Sequence, residues 1–70
     1  MKLSEASEGE YVVIDIEGEA RDVLYKLGVV KGSVIEVEIR TRSSVVIALK
    51  PLGRIAMSRS TAELVEVESI

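Results

Sequence analysis

Apolar and polar residues alternate along five short segments of the chain. In the first, residues 10–17, the side chains of Val12, Ile14 and Ile16 fall on one face at a period of two, which is typical of a half-buried strand. Four later segments alternate in the same way: residues 34–40, 45–50, 54–58 and 64–68. Glycines or polar turns separate the segments, so the sequence predicts five strands.

The same alternation predicts which side chains face the core. In the second segment Ile35, Val37 and Ile39 alternate with charged residues, and in the last segment Val65 and Val67 alternate with glutamates. We expect Val65 and Val67 to point inward.

The segment between the first two strands has a different period. Ala20, Val23, Leu24 and Leu27 are spaced as i, i+3, i+4 and i+7, which predicts a helix of about two turns with one apolar stripe. Gly28 stands where a glycine in the left-handed conformation ends a helix. Because so short a helix is unstable alone, we expect its stripe to pack on the sheet.

Two further positions carry local signals. Gly32 precedes the second strand, and we expect it, like Gly28, to serve the backbone conformation. Residues 60–63 (Ser-Thr-Ala-Glu) have capping-box spacing, but a strand pattern follows at once, so they predict a single 3₁₀ turn.

Five strands with one short helix between the first and second predict a mostly β fold. We expect a small, partly open five-stranded β-barrel that forms one domain, residues 1–70. The edges that an open barrel leaves exposed are able to pair with other chains, so a homo-oligomer is one option for this protein.

The composition excludes several kinds of site. The chain has no cysteine and no histidine, which removes disulfides, thiolate metal sites and imidazole bases or ligands. Glu36 and Glu38 share a strand face, but carboxylates without imidazole make a poor site for a transition metal. No nucleophile–base pair or phosphate-binding glycine loop is recognisable. We therefore expect a non-catalytic binding domain without a cofactor or a metal site.

The sequence also narrows the classes of partner that the protein can bind. No apolar stretch approaches the ~20 residues that cross a membrane, and the start lacks the pattern of a signal peptide, so we expect a cytoplasmic protein that does not span the membrane. A net charge of −3 and only two tyrosines do not suit nucleic-acid binding, which uses basic surfaces and aromatic platforms.

Charge is distributed unevenly along the chain. Residues 1–22 hold seven acids and two bases, whereas residues 39–62 hold five bases and no acid. The five bases are Arg40, Arg42, Lys50, Arg54 and Arg59. If they converge, they form a basic patch that binds an acidic surface or lipid headgroups. The alternative is that they are solvated charges that pair with the glutamates of the first strand.

The end of the helix is the second candidate surface. Its apolar residues Leu24, Leu27, Val29 and Val30 surround Gly28 and together form a possible contact for a partner protein. The alternative is that Leu24 and Leu27 belong to the core, as a helical apolar stripe usually does. We expect Val29 and Val30 to be the exposed residues, because a turn need not bury both.

The order of these motifs resembles a known family. The helix and the step into the next strand read Ala20-x-x-x-Leu24-x-x-Leu27-Gly28-Val29-Val30-x-Gly32-Ser33-x-Ile35-x-Val37. Further matches are Leu3-Ser4-Glu5-Ala6, Gly9-Glu10, Gly53, Ile55-Ala56-Met57, Ala62 and Val65-Glu66-Val67. Over essentially its whole length, the chain resembles the ferrous iron transport protein A (FeoA) family.

The resemblance implies an SH3-like β-barrel. It also implies a cytosolic accessory module that binds and modulates a membrane-embedded ferrous iron transport GTPase, with a peripheral position at the inner face of the cell membrane as one option. The alternative is a metal-sensor or protein-interaction barrel of the kind attached to metal-dependent transcriptional repressors, because fold analogy does not choose between roles. One departure concerns the turn at residues 41–44, which is shorter than in many family members.

Overall fold

The structure is a computed structural model that describes residues 1–49 and 53–70. A 3₁₀ turn at Leu3–Glu5 precedes the other elements. These are β1 (Gly9–Ile16), α1 (Ala20–Lys26), β2 (Val34–Arg40), β3 (Ser44–Leu49), β4 (Gly53–Ser58), α2 (Arg59–Ala62) and β5 (Val65–Ser69). The five predicted strands and the predicted helix are therefore present.

All five strands form one antiparallel sheet in the order β4-β3-β2-β1-β5. The sheet curls around an apolar core, but its two edge strands, β4 and β5, are not paired with each other. The prediction of a mostly β, partly open barrel with one short helix after the first strand is confirmed.

The predicted 3₁₀ turn at residues 60–63 is wrong in type and position. The segment is a short α-helix that begins one residue earlier, at Arg59, because Ser58 is its N-cap. The Ser58 hydroxyl accepts a hydrogen bond from the Thr61 N–H at 3.2 Å, and the Glu63 N–H donates to the Arg59 carbonyl at 3.0 Å. A cap at Ser58 satisfies one of the free N–H groups at the start of the helix.

A β-bulge changes the buried face of β1. The register with β5 shifts after Val13, so Tyr11, Val13 and Ile16 are buried. Val12 is only half-buried and Ile14 is exposed, so of the three apolar side chains that alternation grouped on one face, only Ile16 is buried. A bulge adds one residue to one strand and so turns the following side chains to the opposite face.

A second bulge lies in β2. The register with β3 shifts between Val37 and Ile39, which leaves Ile35 and Val37 buried but Ile39 51% exposed. The alternation that grouped Ile39 with Ile35 and Val37 is therefore interrupted by the bulge. Val65 and Val67 are buried in β5, as the alternation predicted.

Helix α1 packs on the sheet through half of its predicted stripe. Ala20 and Leu24 are buried, whereas Val23 and Leu27 are exposed. With only seven residues, the helix contacts the sheet mainly through one pair of residues at i and i+4.

The end of α1 returns the chain to the core. The Gly28 N–H donates to the Tyr25 carbonyl at 3.0 Å and the Val29 N–H donates to the Leu24 carbonyl at 2.9 Å, which is the Schellman arrangement. Gly28 has a φ of 92° and Gly32 a φ of 89°, so both adopt the conformation predicted for them. The expectation that Val29 is exposed is wrong, because this turn carries its side chain inward, where it is 1% exposed.

The two edges of the sheet differ in what covers them. Beside β5, the Val67 N–H donates to the Met1 carbonyl at 2.7 Å and the Met1 ammonium donates to the Val67 carbonyl at 2.9 Å. Lys2 forms a further bridge with Glu66. Among the residues that the structure describes, β4 pairs with β3 and with no other strand.

Candidate partner-binding surfaces

The five predicted bases do not form one patch. Arg54 lies opposite Ala48 and Ser58 lies opposite Ser44, so the start and the end of β4 are four residues apart, about 13 Å along an extended strand. Arg59 therefore lies far from Arg54, near the β2–β3 turn. Lys50 lies outside the described residues.

Arg59 binds main-chain groups of the protein itself. Its guanidinium donates to the Ser4 carbonyl at 2.9 Å and to the Thr41 carbonyl at 3.4 Å, and its own N–H donates to the Ser43 carbonyl at 3.0 Å. These bonds join α2, the β2–β3 turn and the N-terminal 3₁₀ turn. Arg59 is thus a structural residue that leaves only part of its side chain for a partner.

Arg40 and Arg42, which we call the arginine pair, are exposed on either side of Thr41. Within residues 1–49 and 53–70, neither forms an ion pair with a carboxylate. The Thr41 hydroxyl accepts a hydrogen bond from the Ser44 N–H at 3.0 Å, which holds the turn from Thr41 to Ser44 closed. The arginine pair is what the structure retains of the predicted basic patch.

Arg54 is neutralised by an acid. Its Nε lies 2.6 Å from a Glu38 carboxylate oxygen, in an exposed ion pair on the outer face of the sheet. Glu38 belongs to β2. The sequence had offered the alternative that the basic residues pair with glutamates of the first strand, β1.

The predicted apolar cluster around Gly28 is divided between core and surface. Leu24 and Val29 are each 1% exposed and belong to the core, so neither is available to a partner. Leu27 and Val30 are 46% and 38% exposed. Of the two alternatives given for Leu24, a partner contact or a core position, the structure favours the core position.

A groove of about 320 Å³ opens beside the end of α1. We call it the helix-exit groove, and the residues that line it are Asp15, Ile16, Arg21, Tyr25, Val29, Val30 and Lys31. Its apolar walls come from β1 and from the turn after α1, and the exposed ring of Tyr25 stands on the helix.

Polar groups in the helix-exit groove are oriented by the protein. The Arg21 guanidinium donates from Nε and Nη2 to the Ile16 carbonyl, at 3.2 and 3.1 Å. Lys31 Nζ lies 3.8 Å from an Asp15 carboxylate oxygen. The groove therefore combines an apolar surface with a fixed guanidinium, which suits an apolar side chain that has an acceptor group nearby.

Five of the seven residues that line this groove were not predicted as site residues, and one of them, Ile16, is a buried strand residue. Arg21 and Tyr25 are four apart and so share one face of α1, a spacing that is visible in the sequence. Asp15 and Lys31 are brought to the groove by the β1 bulge and by the turn after the helix, for which the sequence carried no comparable signal.

In residues 1–49 and 53–70, no three His, Cys, Asp or Glu side chains are grouped as a metal ion would need. Neither helix within these ranges has the length and hydrophobicity required to cross a membrane.

Comparisons with known proteins agree with this fold. The family model of the FeoA domain matches residues 1–69. A crystal structure described as iron uptake regulatory protein (FeoA) has 27% identity and a TM-score of 0.88, over 100% of this chain and 97% of that one. No curated protein sequence matched the chain.

Two solution structures are similar as well. The FeoA protein of Chlorobium tepidum has 25% identity and a TM-score of 0.86, over 100% of this chain and 70% of that one. The FeoA-like protein of Clostridium acetobutylicum has 23% identity and a TM-score of 0.86, over 100% and 86%.

Proposed function

Because the chain belongs to the FeoA family, we propose that it is a non-catalytic accessory module of ferrous iron transport that binds and modulates a membrane-embedded transport GTPase. The observation that carries the proposal is the family match over residues 1–69. The description of a 27% identical structure as an iron uptake regulatory protein supports a regulatory role.

The helix-exit groove is the surface that we assign to the partner. Val30 and Tyr25, which line the groove, and Leu27 on the same turn expose apolar area on a domain that has a separate, well-filled core. Exposed apolar groups beside an oriented polar group are typical of a protein interface. In this proposal Val30 contacts an apolar side chain of the GTPase, and Arg21 donates to a neighbouring acceptor.

The arginine pair supplies a second contact in the same proposal. Arg40 and Arg42 carry two exposed charges without ion-pair partners in the described residues. Beside a cytoplasmic membrane face, each such charge is attracted to anionic headgroups by roughly 1 kcal/mol. A peripheral position at the membrane would keep the module close to a membrane-embedded partner.

The test is co-purification from native membranes with the full chain as bait. We expect the wild-type protein to capture a polytopic GTPase and to change its rate of GTP hydrolysis. Val30→Asp should reduce capture by about tenfold or more, because it puts a charge into an apolar contact. Val34→Asp is the matched control, since Val34 is an exposed valine of β2 that does not line the helix-exit groove.

Two results would contradict the proposal at different levels. If the Val30→Asp and Val34→Asp variants capture the GTPase equally well, the groove is not the contact surface, although the GTPase remains the partner. Failure of the wild-type chain to capture any GTPase, together with a rise in its melting temperature on adding Fe²⁺ or Mn²⁺, would instead favour a metal-sensing domain.

A further inference from the structure

Strand β4 presents an open edge. Its ladder with β3 runs from the Ser44–Ser58 pair to the Leu49–Gly53 pair without a bulge. In the described residues, no main-chain group outside β3 forms a hydrogen bond with the main chain of residues 53–57, whereas Ser58 also caps α2. In an antiparallel strand alternate N–H and C=O groups point away from the neighbour, so those of β4 point outward without a main-chain partner.

The protections that proteins usually give such an edge are scarce here. Bulges, prolines, several charges or a covering segment normally prevent edge strands from pairing with other chains. Residues 53–58 contain no proline and only one charged residue, Arg54. By contrast β5 carries Glu66 and Glu68, is paired across a bulge, and is covered by residues 1–2.

We propose that β4 pairs in antiparallel fashion with β4 of a second copy of this chain. The two copies would be related by a two-fold axis and would share one continuous ten-stranded sheet. Such an interface is isologous, because each copy contributes the same strand. The inference concerns self-association alone and does not rest on the proposed role in iron transport.

The side-chain pattern of β4 favours one register. Arg54, Ala56 and Ser58 lie on the outer face and are exposed, whereas Ile55 and Met57 lie on the core side. When Ala56 is placed on the two-fold axis, Arg54 faces Ser58 of the second copy, so a polar residue meets a polar one. Ile55 then faces Met57 of the second copy, and the two small alanines meet at the centre.

The neighbouring register is less well matched. With Ile55 on the axis, Arg54 would face Ala56 of the second copy and Gly53 would face Met57. Cross-strand pairs of like polarity stabilise a sheet by a few tenths of a kcal/mol to about 1 kcal/mol each, so the register centred on Ala56 is favoured.

Charge and apolar surface near β4 also suit a second copy better than a charged partner. The single charge of β4 is neutralised by Glu38 at 2.6 Å, so two copies approach without strong local repulsion. On the outer face, Ala56 pairs with Val46, which pairs with the exposed Ile39. The two-fold axis would join this apolar row to the same row of the second copy.

The interface would be small and the association weak. Pairing one short strand from each copy buries less than the roughly 1,200 Å² that marks stable complexes. We expect a dissociation constant on the order of 100 µM and rapid exchange between monomer and dimer.

The experiment is sedimentation equilibrium of the full chain from about 10 µM to about 1 mM, a range chosen to bracket weak association. The wild-type protein should show a reversible monomer–dimer equilibrium. Ala56→Lys and Ala56→Glu should each remain monomeric, because two like charges would face each other at the axis. An equimolar mixture of the two variants should recover the dimer, because a lysine then faces a glutamate.

The controls are Val34→Lys and Val34→Glu, which introduce the same charges at an exposed position away from β4 and should dimerise like the wild type. Ala56→Lys brings the net charge of −3 one step closer to zero, so an effect of net charge alone would strengthen association rather than weaken it. Circular dichroism melting of each variant is the check that it is folded. A wild-type chain that is monomeric at the highest concentration, or Ala56 variants that dimerise like the Val34 controls, would overturn the proposal.

Discussion

The two edge strands of this sheet have opposite relations to the core. In β5, Val65 and Val67 are buried and the main chain is covered by residues 1–2. In β4 only Met57 is buried, and the outward main-chain groups have no strand beside them in the described part of the protein. One edge strand is therefore part of the core and is covered, whereas the other is mostly exposed. An edge position in the strand order does not by itself determine how much a strand contributes to stability.

The amino-acid patterns of the two strands match this difference. Val65–Ser69 alternates valines with polar residues, which fits one dry face and one wet face. Gly53–Ser58 carries an alanine and a glycine at exposed positions and buries less apolar surface. We expect the effects of substitutions in β5 and in β4 on the free energy of unfolding to differ most when the substitution introduces a charge.

The largest expected effect is that of Val67→Asp. This change places a carboxylate in the core without a partner, and should remove at least ~4 kcal/mol, which is most of the stability of a domain of this size. Ala56→Asp is the matched change at the exposed edge and should alter the free energy of unfolding by no more than about 0.5 kcal/mol. Urea unfolding in dilute solution measures both, and similar losses would refute the contrast between the edges.

An intermediate effect is expected at the end of β4, where Arg59 joins α2 to distant segments. Arg59→Ala removes guanidinium hydrogen bonds to the carbonyls of Ser4 and Thr41 and should lower the free energy of unfolding by about 1–2 kcal/mol. Arg59→Lys should recover only part of this loss, because an ammonium cannot reproduce the planar fork. Urea unfolding tests this, and a loss below about 0.3 kcal/mol would show that these bonds contribute little.

The smallest effect is expected at the start of β4. Arg54→Ala removes an ion pair whose arginine side chain is 71% exposed, and such pairs contribute about 0–0.5 kcal/mol. A double-mutant cycle with Glu38→Ala measures the coupling between the two residues. A coupling energy above about 1 kcal/mol would mean that this end of β4 is held more firmly than its exposure indicates.

The strands, the helix and the positive φ of Gly28 and Gly32 were predictable because each has a local signal. The buried faces were less so. In β1 both faces carry apolar residues up to Ile14, so alternation alone does not choose between them. The bulges after Val13 and Val37 then move Ile16 inward and Ile39 outward. Bulges depend on how strands pair, which the periodicity of a single segment does not contain.

The candidate surfaces were predicted in part. The bases are close in sequence, but an extended strand separates Arg54 from Arg59 by about 16 Å, so proximity along the chain did not bring them together. Leu27 and Val30 remain exposed, as a contact surface requires, whereas the turn at Gly28 buries Val29. The role of Arg21 depends on a carbonyl of β1, which is set by tertiary structure and not by the helix pattern.

The contact between Arg59 and Ser4 has a consequence for the lifetime of the folded state. These residues are 55 positions apart, so their hydrogen bond closes a loop that includes most of the chain. Long loops are entropically costly to close, and we expect this contact to form after the rate-limiting step of folding. Losing it should then accelerate unfolding while leaving the folding rate nearly unchanged. Arg59, which follows the open edge strand, would in this way lengthen the lifetime of the folded state. Stopped-flow chevron kinetics of Arg59→Ala test this, and a slower folding limb would show that the contact instead forms early.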